Sequence, residues 1–345
     1  MKESKSNILL IYTGGTIGMI ENPQDGTLQN FQLDQLMLHL PEMTQVGCDI
    51  DSYAFTPPID SSDMEPKVWI KLVEVIANQY HQYDGFVILH GTDTMAYTAS
   101  ALSFMLGNLT KPVILTGSQL PIGALRTDGK ENLLTSIEIA SNKIHNHAVV
   151  PEVCILFENR LMRGNRTTKI AAENFKAFQS FNYPDLAHCG IHIRYSHEYI
   201  LPCYKHKPLH PYLNIDENVV ILKLFTGIQK YVVDAILNIP QLKGVILESF
   251  GAGNAPQKDW LINSLAKANQ NGIVIVNITQ CAQGSVMMGR YANGYQLYQA
   301  GVISGKDMTT ESALTKLMHL LGQGYNHEEI KRLIKKPIAG EISHT

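Results

Sequence analysis

Seven short apolar runs, Ile8 to Tyr12, Phe86 to Leu89, Val113 to Leu115, Val153 to Phe157, Val219 to Leu224, Val245 to Leu247 and Ile273 to Val276, recur along the chain. Each has the length of a strand, and unbroken apolarity means burial on both faces. Between them lie helical patterns. One carries Ile70, Val73, Ile76, Ala77 and Tyr80 after Asp63-Met-Glu-Pro66, which reads as an N-cap with an early proline. Another runs from about Met95 to Leu106. Strands alternating with helices need crossover connections, so the expectation is a doubly wound, mainly parallel α/β sheet. In such sheets ligands sit beyond the C-terminal strand ends, so the loops after each apolar run are the places to look for chemistry.

At 345 residues the chain exceeds the size of one core, which predicts two domains. Glu198 to Asp216 carries Pro202, Pro208 and Pro211 without periodicity. We therefore expect a larger N-terminal domain at 1–200, a linker at 201–216 and a smaller C-terminal α/β domain at 217–345. In the last, Thr310 to Lys335 reads as two amphipathic helices, with Leu314, Leu317, Met318 and Leu321 on one face.

The formal charge of -3 and the absence of a Lys/Arg block argue against a nucleic-acid partner. The polar start leads into an apolar run too short for a secretion signal, and no stretch has the length of a membrane span. Five scattered cysteines lack a Cys-x-x-Cys pair, which fits a reducing cytoplasm better than a disulfide framework. The run His188, His192, His197, Cys203, His206 and His210 matches no common zinc spacing, and no metal or organic cofactor is expected.

Four strand-end loops carry hydroxyls and charges. Thr13-Gly14-Gly15-Thr16-Ile17-Gly18 follows the first run; its paired glycines permit close backbone approach. Read alone it is as compatible with a plain glycine turn as with a catalytic one, and it meets neither the dinucleotide nor the phosphate-loop pattern. His90-Gly91-Thr92-Asp93-Thr94 follows the second, where Thr or Asp is equally suited to cap a helix. Asp60-Ser61-Ser62-Asp63 and Arg163-Gly-Asn-Arg-Thr-Thr-Lys169 complete the set. Together they offer what amide hydrolysis needs: a nucleophile, a base, oxyanion donors and a proton for ammonia. A threonine hydroxyl requires activation, and a desolvated lysine beside a carboxylate suits that task, so Thr92, Asp93 and Lys169 form a candidate relay.

These segments resemble the two threonine signatures of the bacterial-type L-asparaginases. The resemblance extends through Leu115-Thr-Gly-Ser-Gln119, Gly251-Ala-Gly-Asn254 and Ile278-Thr-Gln-Cys281 in the family's order. It implies a two-domain asparaginase-like fold and hydrolysis of L-asparagine to L-aspartate and ammonia. Thr16 would be the nucleophile, with a Thr92-Asp93-Lys169 triad moving protons. Asp60, Ser61, Gly91, Thr92, Asp93 and Ser118 would hold the substrate, with Asn254 supplied by a partner subunit of a homodimer or homotetramer.

The resemblance is to the cytoplasmic type I branch, and two departures stand out. The stretch Met19 to Phe31 lacks the tyrosine common after the nucleophile, and Tyr291 is the substitute candidate; Asn22-Pro23 and Asp25-Gly26 suit a closing lid. The effector-site positions Thr168, Asn254 and Cys281 are present, but Glu248 stands where activated relatives have an arginine, so activation by asparagine should be weak or lost. The rival readings are the asparaginase-like subunit of a tRNA-dependent amidotransferase and a non-catalytic amino-acid sensor.

Overall fold

The computed structural model describes residues 5–21, 28–30, 40–203, 207–289 and 292–343. The chain forms two compact units, Met1–Ser180 with Pro184–Leu213, and Phe181–Tyr183 with Asn214–Thr345.

The first unit is built on β1 (Asn7–Tyr12), β2 (Asp49–Ala54), α1 (Pro66–Gln79), β3 (Gly85–Leu89), α2 (Met95–Met105), β4 (Val113–Thr116), α3 (Gly129–Ser141), β5 (Val153–Phe157), β6 (Arg160–Arg163), β7 (Ala187–Cys189) and β8 (Ile193–Tyr195). Their sheet runs β8-β7-β6-β5-β4-β3-β1-β2. It is parallel from β2 to β5 and antiparallel from β5 to β8. The chain leaves β1 for β2 on one side and returns to β3 on the other, so the strand order reverses between β1 and β3. This is the switch point at which open α/β sheets open a crevice.

Register decides what gathers there. Ala54 pairs with Tyr12, Tyr12 with Leu89 and Leu89 with Thr116, so four parallel strands end on one rung. Every loop that follows leaves the same edge at the same level.

The apolar runs appear as strands, with β3, β4 and β5 buried along their whole length, whereas Val219–Lys223, the outer strand of the second sheet, is only partly buried. β2 lacks an apolar run because it is the sheet's outer strand, and Asp49, Asp51 and Ser52 face solvent. The capping expectation for α1 is corrected. Glu65 occupies its N-cap without a side-chain bond, and Pro66 stands at the first helical position. Asp63 instead ends a short 3-10 turn that Asp60 caps through the Ser62 N–H. Within the stretch read as linker, His210–Pro211 pairs antiparallel with Leu106–Gly107 and so belongs to the first unit.

The second unit carries β9 (Val219–Lys223), α4 (Lys230–Leu237), β10 (Gly244–Ser249), α5 (Asp259–Gln270), β11 (Val274–Thr279), α6 (Ala292–Gln299), β12 (Ile303–Ser304), α7 (Thr310–Gly322) and α8 (His327–Ile334). Its sheet is parallel in the order β9-β10-β11-β12. Alternation along β10 sends Val245 and Leu247 into the core under Leu261 and Leu265, and Ile246 to the opposite core with Leu317 and Ile330. A capping box between Asn326 and Glu329 starts α8. Lys316 of α7 and Glu341, both fully buried, pair at 2.5 Å, and Glu341 also accepts from the Ile338 and Ala339 N–H groups.

Candidate active site

Glycines let the strand-end loops of the first unit touch backbone to backbone. A Cβ on Gly14 would collide with the Ile59 carbonyl, and one on Gly15 would lie 2.5 Å from the Gly91 nitrogen. Both have φ in the region side chains avoid, at 138° and 94°. A Cβ on Gly91 would lie 2.5 Å from Ser61 Oγ. The loops after β1, β2 and β3 are thereby held in direct contact, with the half-buried Thr16 opening the turn Thr16–Gly18. Hydrogen bonds complete the frame: Thr13 N–H donates to Leu89 O, Ile59 N–H to Thr13 O, and Thr94 Oγ1 to Ser61 O.

Lys169 arrives from elsewhere in the chain. Buried Arg163 pairs with Glu152 at 2.6 Å, and Gly164 packs so tightly on Ala99 of α2 that a Cβ would lie 2.9 Å from the Ala99 Cβ. From this anchor the short strand Thr168–Lys169 pairs with Phe178–Gln179. Lys169 Nζ then donates to Thr92 Oγ1 at 2.8 Å and to Asp93 Oδ1 at 2.6 Å, at the start of α2. Neither Thr94 nor Asp93 caps that helix: the N-cap, Thr94, makes no side-chain cap bond.

Asp60 accepts from the backbone N–H and the hydroxyl of Ser62, which hold its carboxyl below the ordinary value, so it is ionised at neutral pH. Ser61 is buried against Gly91, while Thr92 is half-buried and Asp93 exposed. Ser118 is buried too, its hydroxyl donated to Leu120 O.

The sequence reading assigned nothing to Gln119, yet it links two of these loops. Its amide nitrogen donates to Ala172 O and Asn174 O just beyond Lys169, and its amide oxygen lies 3.5 Å from Thr92 Oγ1. Asp128 fixes that turn by accepting from the Gln119 and Leu120 N–H groups. An amide side chain next to Ser118 at a strand end was the only signal available.

The remaining candidates lie in the second unit or outside the described residues. Asn254 closes the tight turn after β10, exchanging backbone bonds with Phe250. Thr279 Oγ1 donates to Gly251 O and accepts from the Cys281 N–H, which ties that turn to the end of β11. Glu248, on β10, accepts from Thr310 Oγ1 at 2.6 Å and lies 3.3 Å from Lys223 Nζ. Thr168 is in the first unit beside Lys169. Tyr291 and the lid pairs Asn22-Pro23 and Asp25-Gly26 lie outside the described residues. No described helix is long and apolar enough to cross a membrane.

Burial pushes His90 in the first unit and His319 in the second down from the ordinary 6.5 to about 4; for His319 nearby Lys316 adds to the effect. Between those values the unfolded chain binds protons that the native state refuses. The stabilisation is therefore complete above pH 6.5 and is lost as pH falls toward 4, roughly 3 kcal/mol for each histidine. Urea unfolding midpoints measured from pH 7.5 to 4.5 should begin to fall below pH 6.5, above the carboxylate range. A midpoint constant to pH 5 contradicts this.

The family model described as "Asparaginase, N-terminal" matches residues 7–201, and that of the "Glutaminase/Asparaginase C-terminal domain" matches residues 218–334. The chain is 46% identical to "L-asparaginase 1" of Escherichia coli (strain K12), covering 98% of each. It is 42% identical to a "60 kDa lysophospholipase" of Mus musculus over 97% of this chain and 62% of that protein. The crystal structure of L-asparaginase I from Vibrio cholerae superposes with a TM-score of 0.90 at 40% identity, covering 99% of this chain and all of that one. With both domain models matched in order across the two units, the chain belongs to the asparaginase family.

Proposed function

We propose that this protein hydrolyses L-asparagine to L-aspartate and ammonia. The observation that supports this best is the approach of Lys169 Nζ to both Thr92 Oγ1 and Asp93 at the sheet edge that also presents Thr16. In this reading the Thr16 hydroxyl attacks the side-chain carbonyl, and its proton passes through Thr92 to the Lys169–Asp93 pair. The tetrahedral oxyanion collapses with cleavage of the C–N bond, and the proton leaves with ammonia. Water then cleaves the aspartyl ester and restores Thr16. Asp60 carries a negative charge suited to the substrate's α-ammonium group, while Ser61, Gly91, Asp93 and Ser118 complete the cradle.

Asn254 from a partner subunit completes the site in a homodimer or homotetramer, and the protein works in the cytoplasm. Tyr291 remains the candidate for the hydroxyl that assists Thr16. In this reading the buried carboxylate of Glu248, at the position where activated relatives have an arginine, disfavours the α-carboxylate of a second asparagine, so activation by asparagine is weak or lost.

The test is ammonia release from L-asparagine, with L-glutamine and lysophosphatidylcholine in parallel. We expect asparagine to be hydrolysed with a hyperbolic rate curve and the lysophospholipid to be left intact, because Asp60 and Asp93 suit an α-ammonium group beside the scissile carbonyl, which a fatty acyl chain lacks. No ammonia release from asparagine refutes the proposal, and a strongly sigmoidal curve refutes its account of Glu248.

A further inference from the structure

We infer that His90 is a positioning residue: its ring fixes the plane of the Gly91–Thr92 peptide so that the Thr92 N–H is presented to the site. The inference deepens the hydrolase reading above and rests on it. His90 stands at the end of β3, completely buried. Its Nδ1 lies 2.6 Å from the Gly91 carbonyl oxygen and its Nε2 2.9 Å from Thr98 Oγ1. Trp69 Nε1 lies 3.0 Å from the same Thr98 oxygen.

For an uncharged ring, only one set of donors and acceptors satisfies all three contacts. A carbonyl oxygen can only accept, so Nδ1 carries the hydrogen. Nε2 is then bare and accepts the Thr98 hydroxyl proton. The Thr98 oxygen in turn accepts from Trp69 Nε1–H, a group that can only donate. The direction of the chain is set at both ends, by the indole and by the carbonyl. Trp69 is on α1, Thr98 on α2 and His90 on the sheet, so three elements lock one ring in one tautomer. Burial keeps that ring uncharged at neutral pH.

The peptide plane carries the effect outward. A trans peptide is planar, with C=O and N–H pointing in opposite directions. Because the Gly91 C=O turns inward to a fully buried ring, the Thr92 N–H must turn away from it. Gly15 packs against the nitrogen and Cα of Gly91, the residue before that N–H, and leads directly into Thr16. A backbone N–H held rigidly one residue beyond that contact is the donor that a developing oxyanion needs, and the loss of one such donor costs about 10²- to 10³-fold in kcat.

Two variants separate positioning from mere packing. In His90→Asn the amide nitrogen takes the place of Nδ1 and still donates to Gly91. In His90→Gln the amide reaches the place of Nε2, keeps Thr98 and leaves Gly91 without its donor. Both remove the ring. With L-asparagine we expect His90→Gln to lose about 10²-fold in kcat and His90→Asn to stay within about 5-fold, with KM little changed in either. Equal kcat in the two variants at matched thermal midpoints overturns the inference. Nitrogen-15 NMR of the wild-type ring at pH 6 gives a readout independent of turnover: Nδ1 protonated and Nε2 bare is expected, and the reverse tautomer or an imidazolium overturns the inference. Failure of the wild type to release ammonia, by contrast, overturns the hydrolase reading and leaves the ring's tautomer to be judged by its own spectrum.

Discussion

Thr16→Ala is expected to lower kcat for ammonia release from L-asparagine by at least about 10⁴-fold while the protein stays folded. Removing the nucleophile of a hydrolase that uses covalent catalysis removes most of its rate enhancement, and only the contribution of binding and oxyanion donors is left. The fold should tolerate the change because the turn does not depend on this side chain. The Gly18 N–H bonds to Gly15 O, the Tyr12 hydroxyl donates to Gly18 O, and the glycines before Thr16 supply the close packing. Thr16 is only half-buried, so its thermal midpoint should move by about 2 °C or less. Thr16→Ser keeps the hydroxyl and should keep measurable turnover. If Thr16→Ala retained a tenth of the wild-type kcat, another group would be the nucleophile.

Lys169→Met should have the next largest effect, a fall of about 10²- to 10⁴-fold in kcat, the usual range for loss of a positioned acid or base. Stability should hardly change, because its partner Asp93 has 63% of its side chain exposed. Such solvated pairs contribute about 0 to 1 kcal/mol, far less than the barrier change expected. Lys169→Arg should not rescue the rate: a guanidinium stays protonated and cannot accept the proton from Thr92. Thr92→Val should by itself cost a similar factor. Combining it with Lys169→Met should cost little more than either alone, since the two groups act on one proton. Independent, additive losses, or a Lys169→Met enzyme within about 3-fold of wild type, would break the relay.

Much of the first unit was legible because burial on both faces leaves an unbroken apolar run, as in β3, β4 and β5. One segment that escaped, β6, is buried but hides its apolar pair between the ion-paired Arg160 and Arg163; the others have one face in water. β2, at the edge, carries alternating polar residues, and β7 and β8 are three-residue strands in the antiparallel extension. Local chemistry also misled where two caps competed. Asp63 precedes Pro66 at a spacing that suits a helix start, but the Asp60 carboxylate claims the preceding turn and displaces it.

The sequence by itself determined which groups the site could use: the glycines before Thr16, the Thr92-Asp93 pair at a strand end, and Lys169 in a polar segment beyond β6. Chain order says nothing about distance, and Lys169 meets Thr92 across 77 residues. Only the tertiary structure brought them together. Sheet register ends β2, β1, β3 and β4 on one rung, and the packing of Gly164 on Ala99 carries Lys169 to the start of α2. Gln119 and His90 were invisible as functional groups for the same reason. Their roles lie in bonds to Ala172, Asn174, Thr98 and Gly91, and those bonds exist only once separate loops and helices share a buried volume in which polar atoms must find partners.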